Sequence, residues 1–331
     1  MTLPVVICDD SALARKQLAK SLPGGWDISL TFATNGQEAI EAIKQGKGDL
    51  LFLDLNMPIM DGYETLETIR REDLSSLVLV VSGDIQPEAK KRVMALGALD
   101  FINKPINPEL VTQILLNYGI ISNSQPQSTA ELARFDDQQP DLTDLVQEVV
   151  NVAMGQAGKQ LGDLLGTFVH LPIPKVHLQP YQLLPSLIST RQALTYSGVS
   201  QGFIGSGIAG EAIVIVSTDN LPVLAKLIPT GQQDLQAGEL EILTDLAGLL
   251  AGACLKGISQ QLDVQFSLGH PTLLGQHTEL HKLLGDNQQQ QVLAIDLDYQ
   301  LPDKNIQCDL LLVFTEDSLP ALTERMGCLN E

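Results

Sequence analysis

Over the first 120 residues, short apolar runs alternate with helical patterns. The runs PVVIC (4–8), ISLTFA (28–33), DLLFLDL (49–55), LVLVVS (77–82) and DFIN (100–103) are brief and almost continuously apolar, which predicts buried parallel strands. Between and after them, SALARKQLAKSL, NGQEAIEAIKQG, YETLETIRRE, PEAKKRVMALG and NPELVTQILLNYG predict helices, with Gly and Pro at the joints. A strand–helix alternation of this kind predicts an α/β, doubly wound, five-stranded parallel sheet. Its functional residues belong at the carboxyl ends of the strands.

The pattern then lapses. Residues 121–140, ISNSQPQSTAELARFDDQQP, are polar and carry no sustained period, so they predict a linker. A flexible chain of that length spans about 25 Å. From 141 a different rhythm begins. A long helix at about 141–165 leads into strand and hairpin signals at 192–217. A short helix near 220–228 and a second long helix at about 234–257 follow. The tail predicts a hairpin over QVLAIDLDYQLPDKNIQCDLLLVF and a closing helix from Leu319. The expected organisation is a first domain at 1–120, a linker, and an α+β domain at 141–331 with two long helices on an antiparallel sheet. The glutamine run at 288–291 reads as a polar turn, and Asp296 and Asp298 as the outward-facing positions of a strand.

Charge narrows the partners. Formal charge is −20; residues 1–120 carry 11 Lys/Arg against 16 Asp/Glu, and residues 141–331 carry 8 against 21. Such a surface repels phosphate backbones and anionic headgroups, which argues against nucleic-acid binding. The longest apolar runs, such as LLAGACL at 249–255, are too short to span a bilayer, and MTLPVVICDD has no signal-peptide pattern. Membrane insertion is not expected. Cys8, Cys254, Cys308 and Cys328 form no CxxC pair and read as free thiols of a cytoplasmic protein.

Candidate chemistry gathers at the predicted strand ends. Asp9 and Asp10 end the first strand, Asp54 the third and Ser82 the fourth, and Lys104 follows the fifth. A doubly wound sheet brings these ends to one crevice. Three carboxylates together repel one another unless a cation sits among them, and oxygen-only ligands suit Mg²⁺. Asp54 is then a candidate nucleophile forming an acyl phosphate, with Ser82 and Lys104 holding phosphoryl oxygens. An aspartate after a strand is often only a loop or capping residue, but the full set is hard to explain that way.

With DD at 9–10, DLNMPIMDG at 54–62, the Ser82–Gly83 step and KP at 104–105, the first domain resembles a response-regulator receiver domain. The resemblance implies Asp54 as phospho-acceptor and Asp9, Asp10, Asp54 and the Asn56 backbone carbonyl as Mg²⁺ ligands. It also implies Phe101 as an aromatic switch residue and a sensor histidine kinase as phosphodonor.

The stretch TDLVQEVVNVAMG at 143–155 poses a second question. As a helix it stacks Asp144, Glu148, Asn151, Gly155 and Gly158 within about 80° of arc, against an otherwise apolar circumference. Alone, that stripe reads more readily as solvated surface, with its glycines aiding helix packing. The second long helix, GELEILTDLAGLLAG, repeats the spacing with Glu241, Asp245, Gly248 and Gly252. Pro174 and Pro271 follow Asn151 and Gly248 at the same interval. The two halves look duplicated, with the amide present in one copy only.

Asp144, Glu148, Asn151 and the trailing Pro174 resemble the pattern of the CheC/CheX/FliY family, phosphatases of phosphorylated chemotaxis receivers. The resemblance implies a pseudo-symmetric two-helix fold in which Glu148 docks on a receiver lysine and Asn151 orients the attacking water. The Glu241/Asp245/Gly248 site is then degenerate. Three functions follow: a signalling phosphatase acting on another receiver and regulated at Asp54, the same chemistry on its own receiver, or a phosphorylation-switched adaptor with little catalysis. Homodimerisation is left open. His277 and His281 lack a third metal ligand, and GFIGSG at 202–207 does not open a helix, so neither site is favoured.

Overall fold

The computed structural model describes residues 2–121, 142–188, 195–227, 238–284 and 290–327. The expected linker beyond residue 121, residues 288–289 of the glutamine run, and Cys328 lie outside them. The chain divides into two compact units, Met1–Asp144 and Leu145–Glu331.

In the first unit the elements run β1 (Leu3–Cys8), α1 (Ala12–Ser21), β2 (Ile28–Ala33), α2 (Gly36–Lys44), β3 (Leu50–Leu53), α3 (Gly62–Arg71), β4 (Leu77–Ser82), α4 (Pro87–Leu96), β5 (Asp100–Asn103) and α5 (Pro108–Asn117). The strands pair in parallel in the order β2-β1-β3-β4-β5. Alternate residues feed two cores. Val6, Cys8, Leu51, Leu53 and Val80 face one layer of helices, and Val5, Ile7, Leu50, Phe52 and Leu79 face the other. That two-sided burial is why the strands read as unbroken apolar runs. The first three helices begin at side-chain caps: Ser11 before α1, Asn35 before α2, and an Asp61/Glu64 capping box on α3.

The second unit is built twice. Its first copy comprises α6 (Leu142–Leu165, whose first three residues fall in the first unit), β6 (Lys175–Pro180), β7 (Tyr196–Gly205), β8 (Ile208–Ser217) and α7 (Leu221–Leu227). Its second comprises α8 (Glu239–Leu262), the short β9 (Ser267–Leu268), β10 (Thr272–Thr278), α9 (Leu280–Leu284), β11 (Gln291–Leu301), β12 (Ile306–Thr315) and α10 (Leu319–Gly327). Pro174 and Pro271 each sit immediately before the first long strand of their copy.

The antiparallel sheet runs β10-β7-β8-β12-β11-β6. Each copy supplies a hairpin, β7–β8 or β11–β12, and the hairpins join through β8 and β12. The outer strands are exchanged: β10 of the second copy pairs with β7, and β6 of the first pairs with β11. The pairs Cys308–Val216 and Phe314–Gly210 lie symmetrically about Ile213–Leu311, where a pseudo-twofold axis crosses the sheet. The exchange extends to the helices, since α8 packs on β7 and β8 of the other copy.

Three expectations change. The second long helix runs five residues past Gly257, because Gly257 is an interior packing position: a Cβ there would lie 2.8 Å from Ala153 Cα on α6. Asp296 is buried and Asp298 half-buried rather than outward, because both faces of the sheet are covered. Lastly, α8 is, among the described residues, a helix long and apolar enough to cross a membrane, contrary to the reading of its short runs. Buried core helices share that length and composition, and 61% of the most apolar stretch of α8 is buried within the protein.

Candidate functional site

Where the strand order reverses, β1 and β3 lie side by side and their carboxyl ends open one crevice. Asp9 follows β1 and Asp54 follows β3, and the Asp54 N–H bonds the Cys8 carbonyl at 2.9 Å, tying the two ends together. Carboxylate oxygens of Asp9, Asp10 and Asp54 come within 4.8 Å of one another. Lys104 reaches in from beyond β5, its Nζ 2.7 Å from Asp9 Oδ2 and 3.4 Å from Asp54 Oδ1. Asp54 is 1% exposed and Lys104 4% exposed. One ammonium among three carboxylates leaves a net negative, all-oxygen cluster, a donor set that fits a hard divalent cation such as Mg²⁺.

Backbone donors fix the acids. The Ser11 N–H donates to Asp9 Oδ1 at 2.9 Å, and the Asn56 N–H to Asp54 Oδ2 at 3.0 Å. Ser82 is fully buried; its hydroxyl accepts the Asp84 N–H at 3.2 Å, and its carbonyl accepts the Lys104 N–H at 2.9 Å. Asp9, Asp10, Asp54 and Lys104 thus come together, and Ser82 is tied to them through the backbone of Lys104. Phe101 lies in the hydrophobic core, 7% exposed.

Two further residues shape this region without having been marked by the sequence. Arg15, on α1, donates from Nη1 to the carbonyls of Asp9 at 2.6 Å and Asp10 at 3.0 Å, bracing the acidic turn. Ile59, in the loop after β3, is the centre of a γ-turn. The Met60 N–H bonds the Pro58 carbonyl at 2.8 Å, with Ile59 at φ 71° and 78% exposed. A β-branched residue in left-handed backbone costs on the order of 1–3 kcal/mol. The loop closes through the Gly62 N–H on the Leu55 carbonyl at 3.0 Å. A Cβ on Gly62 would fall 2.7 Å from Leu55 Cα, so only glycine fits this close approach.

On α6, Glu148 and Asn151 are neighbours one turn apart, and both are buried, each 6% exposed. Gly155 and Gly158 are buried as well, whereas Asp144 is exposed. The stripe is therefore not the open polar surface its sequence suggested. The copy on α8 differs: Glu241, Asp245 and Gly248 are exposed, and nothing lies within 4 Å of a Cβ built at Gly248 or Gly252. The face that lacks the amide is the open one. His277 Nε2 lies 2.6 Å from Glu239 Oε2 on the surface.

Among the described residues the cysteines carry no reactive signature. Cys8, Cys254 and Cys308 are free and buried. Burial pushes the Cys254 thiol up to about 12 and raises those of Cys8 and Cys308, with added repulsion from Asp9 and Asp54 on Cys8 and from Asp309 and Asp298 on Cys308.

Comparison with known proteins agrees with the pocket. Residues 5–116 match the family model described as the response regulator receiver domain. A protein-glutamate methylesterase/protein-glutamine glutaminase of Geobacter sulfurreducens is 39% identical over 112 residues, covering 33% of this chain and 30% of that one. This chain thus spans less than a third of that relative's length. The chemotaxis protein CheY of Thermotoga maritima is 34% identical over 112 residues, covering 34% of this chain and 92% of CheY. Among solved structures, FliY of Thermotoga maritima aligns over 58% of this chain and 99% of its own with 17% identity and a TM-score of 0.44.

Proposed function

The chain belongs to the response-regulator receiver family, and from that premise we propose that it is a chemotaxis-type signalling phosphatase controlled by its own receiver. Asp54 is the phospho-acceptor. Its carboxylate attacks the phosphorus of a phosphodonor, a histidine kinase or phosphotransfer protein, while Lys104 Nζ and Ser82 Oγ hold the phosphoryl oxygens. When bound by Asp9, Asp10, Asp54 and the Asn56 carbonyl, Mg²⁺ would supply charge neutralisation for an otherwise anionic pocket. Phe101 takes the role of the aromatic residue that repacks as the pocket is occupied.

The second unit hydrolyses phosphoaspartate on a receiver. An acyl phosphate carries a good leaving group, so the remaining task is to hold water in line. The Asn151 carboxamide can both donate to and accept from that water, and the Glu148 carboxylate can engage a receiver lysine. The observation that carries this reading is the duplication itself: one copy holds Glu148 and Asn151, and the equivalent positions of the other are Asp245 and Gly248. Burial of Glu148 and Asn151 adds a condition. Access of a receiver to that face is then the step that phosphorylation at Asp54 regulates.

The test uses the purified chain and a separate phosphorylated receiver labelled through acetyl phosphate. Wild type should accelerate phosphate loss, Asn151→Ala should abolish the acceleration, and Gly248→Ala should leave it intact. An Asn151→Ala chain as fast as wild type removes the mechanism. The same burial also favours a second reading, a phosphorylation-switched adaptor without turnover. That reading holds if no receiver loses phosphate faster, yet Asp54 phosphorylation changes the affinity for a partner.

A further inference from the structure

We infer that Ile59 is a specificity-determining residue for phosphoryl transfer, an apolar contact for the protein that carries the donor phosphohistidine. The inference rests on Asp54 as acceptor. Between Asp54 and the start of α3 the chain makes a short loop on the rim of the acidic crevice. Pro58 is exposed, but the loop's other long apolar side chains turn inward: Leu55 and Met57 are buried, and Met60 packs against the core. Ile59 does the opposite, standing 78% exposed at the apex of a γ-turn with left-handed backbone. Nothing within the fold requires isoleucine there, because its side chain buries little. Glycine or asparagine would occupy the turn with less strain. An isoleucine held outward in this conformation is explained by what it meets from outside.

Access to Asp54 identifies that occupant. A phosphohistidine must bring its phosphorus in line with an Asp54 oxygen. The P–N bond breaks, the P–O bond forms, and the released imidazole nitrogen takes a proton from water. The protein bearing that histidine therefore covers the rim. The receiver half is itself acidic, with 11 Lys/Arg against 16 Asp/Glu in residues 1–120, so general charge attraction supplies little affinity toward an anionic donor. An exposed aliphatic side chain beside the reacting group supplies an apolar contact that does not depend on charge. A small phosphodonor such as acetyl phosphate enters the crevice without touching Ile59.

The experiment compares the two donor classes on the full-length chain. Autophosphorylated histidine kinases from the same genome are screened for the fastest transfer to wild type, and acetyl phosphate serves as the small donor. Ile59→Asn keeps the left-handed turn and should lower the kinase transfer rate by about tenfold or more, while acetyl phosphate labelling stays within about twofold. Ile59→Met, still apolar, should retain most of the kinase rate. Equal kinase rates for wild type and Ile59→Asn overturn the inference. So does an equal loss with both donors, which would mark damage to the pocket, and so does a wild type that accepts from acetyl phosphate but from no kinase. Failure of the acceptor reading is separate: Asp54→Asn would then still take label from acetyl phosphate.

Discussion

Ala153 on α6 and Gly257 on α8 meet so closely that a Cβ at Gly257 would lie 2.8 Å from both Cα and Cβ of Ala153. Glycine costs roughly 1 kcal/mol against alanine inside a helix, so Gly257→Ala gains that much locally. The gain is outweighed, because the Ala153 backbone oxygen also stands only 3.0 Å away and cannot rotate aside. Overpacking of this kind costs about 1–3 kcal/mol. Gly248, on the same helix, has open space around it. Chemical denaturation should therefore give opposite signs: Gly257→Ala destabilises the second unit, and Gly248→Ala stabilises it by up to about 1 kcal/mol.

The carboxylate cluster predicts a coupling between charge and metal. Asp10→Asn removes one of three mutually repelling acids. Without added metal its receiver transition should melt higher than wild type. With Mg²⁺ at about a hundred times its Kd, wild type should gain about 2.7 kcal/mol, and Asp10→Asn distinctly less. A calorimetric scan with and without Mg²⁺ separates the two effects.

A different titration acts on the second sheet. His177, on the outer strand β6, has its pKa lowered first by burial and then by Lys175, and its Nε2 is buried with no hydrogen-bond partner among the described residues. The folded state therefore binds this proton less readily than the unfolded state. Its contribution to stability is fully present above the ordinary histidine pKa of about 6.5 and is lost as pH falls through that value toward the folded one. Denaturation midpoints of the second unit should drop from pH 7.5 to about pH 5.5, with a shallower slope in His177→Gln.

Thiol accessibility provides a folding assay. Cys8, Cys254 and Cys308 are buried, with their pKa values raised. Iodoacetamide at about pH 8 should leave all three unmodified in the native chain and label all three in denaturant, as read by peptide mass spectrometry.

The receiver half was legible because each βα unit is local. Strands read as apolar runs, caps and glycines fall at the joints, and the order of strand ends points to the pocket. Ile59 was not legible, since nothing in NMPIM distinguishes an inward methionine from an outward isoleucine. In the second half the helices, the hairpin at 291–315 and the duplication could be read from periodicity and the two prolines. Burial of Glu148 and Asn151 could not. Local period states which residues share a face, and only tertiary packing decides whether that face meets water. The same limit explains Asp296, which alternation alone placed outward.

The exchange of β6 and β10 has a consequence for how such a domain arises. Neither copy alone holds a finished sheet: its hairpin lacks an outer strand, and its own first strand belongs beside the other hairpin. A single-copy ancestor would therefore fold only as an intertwined homodimer with two identical helix faces. Joining the copies in one polypeptide breaks the obligation that both faces change together. Gly248 on one helix and Asn151 on the other record that freedom, in which one face can drift while its twin is kept.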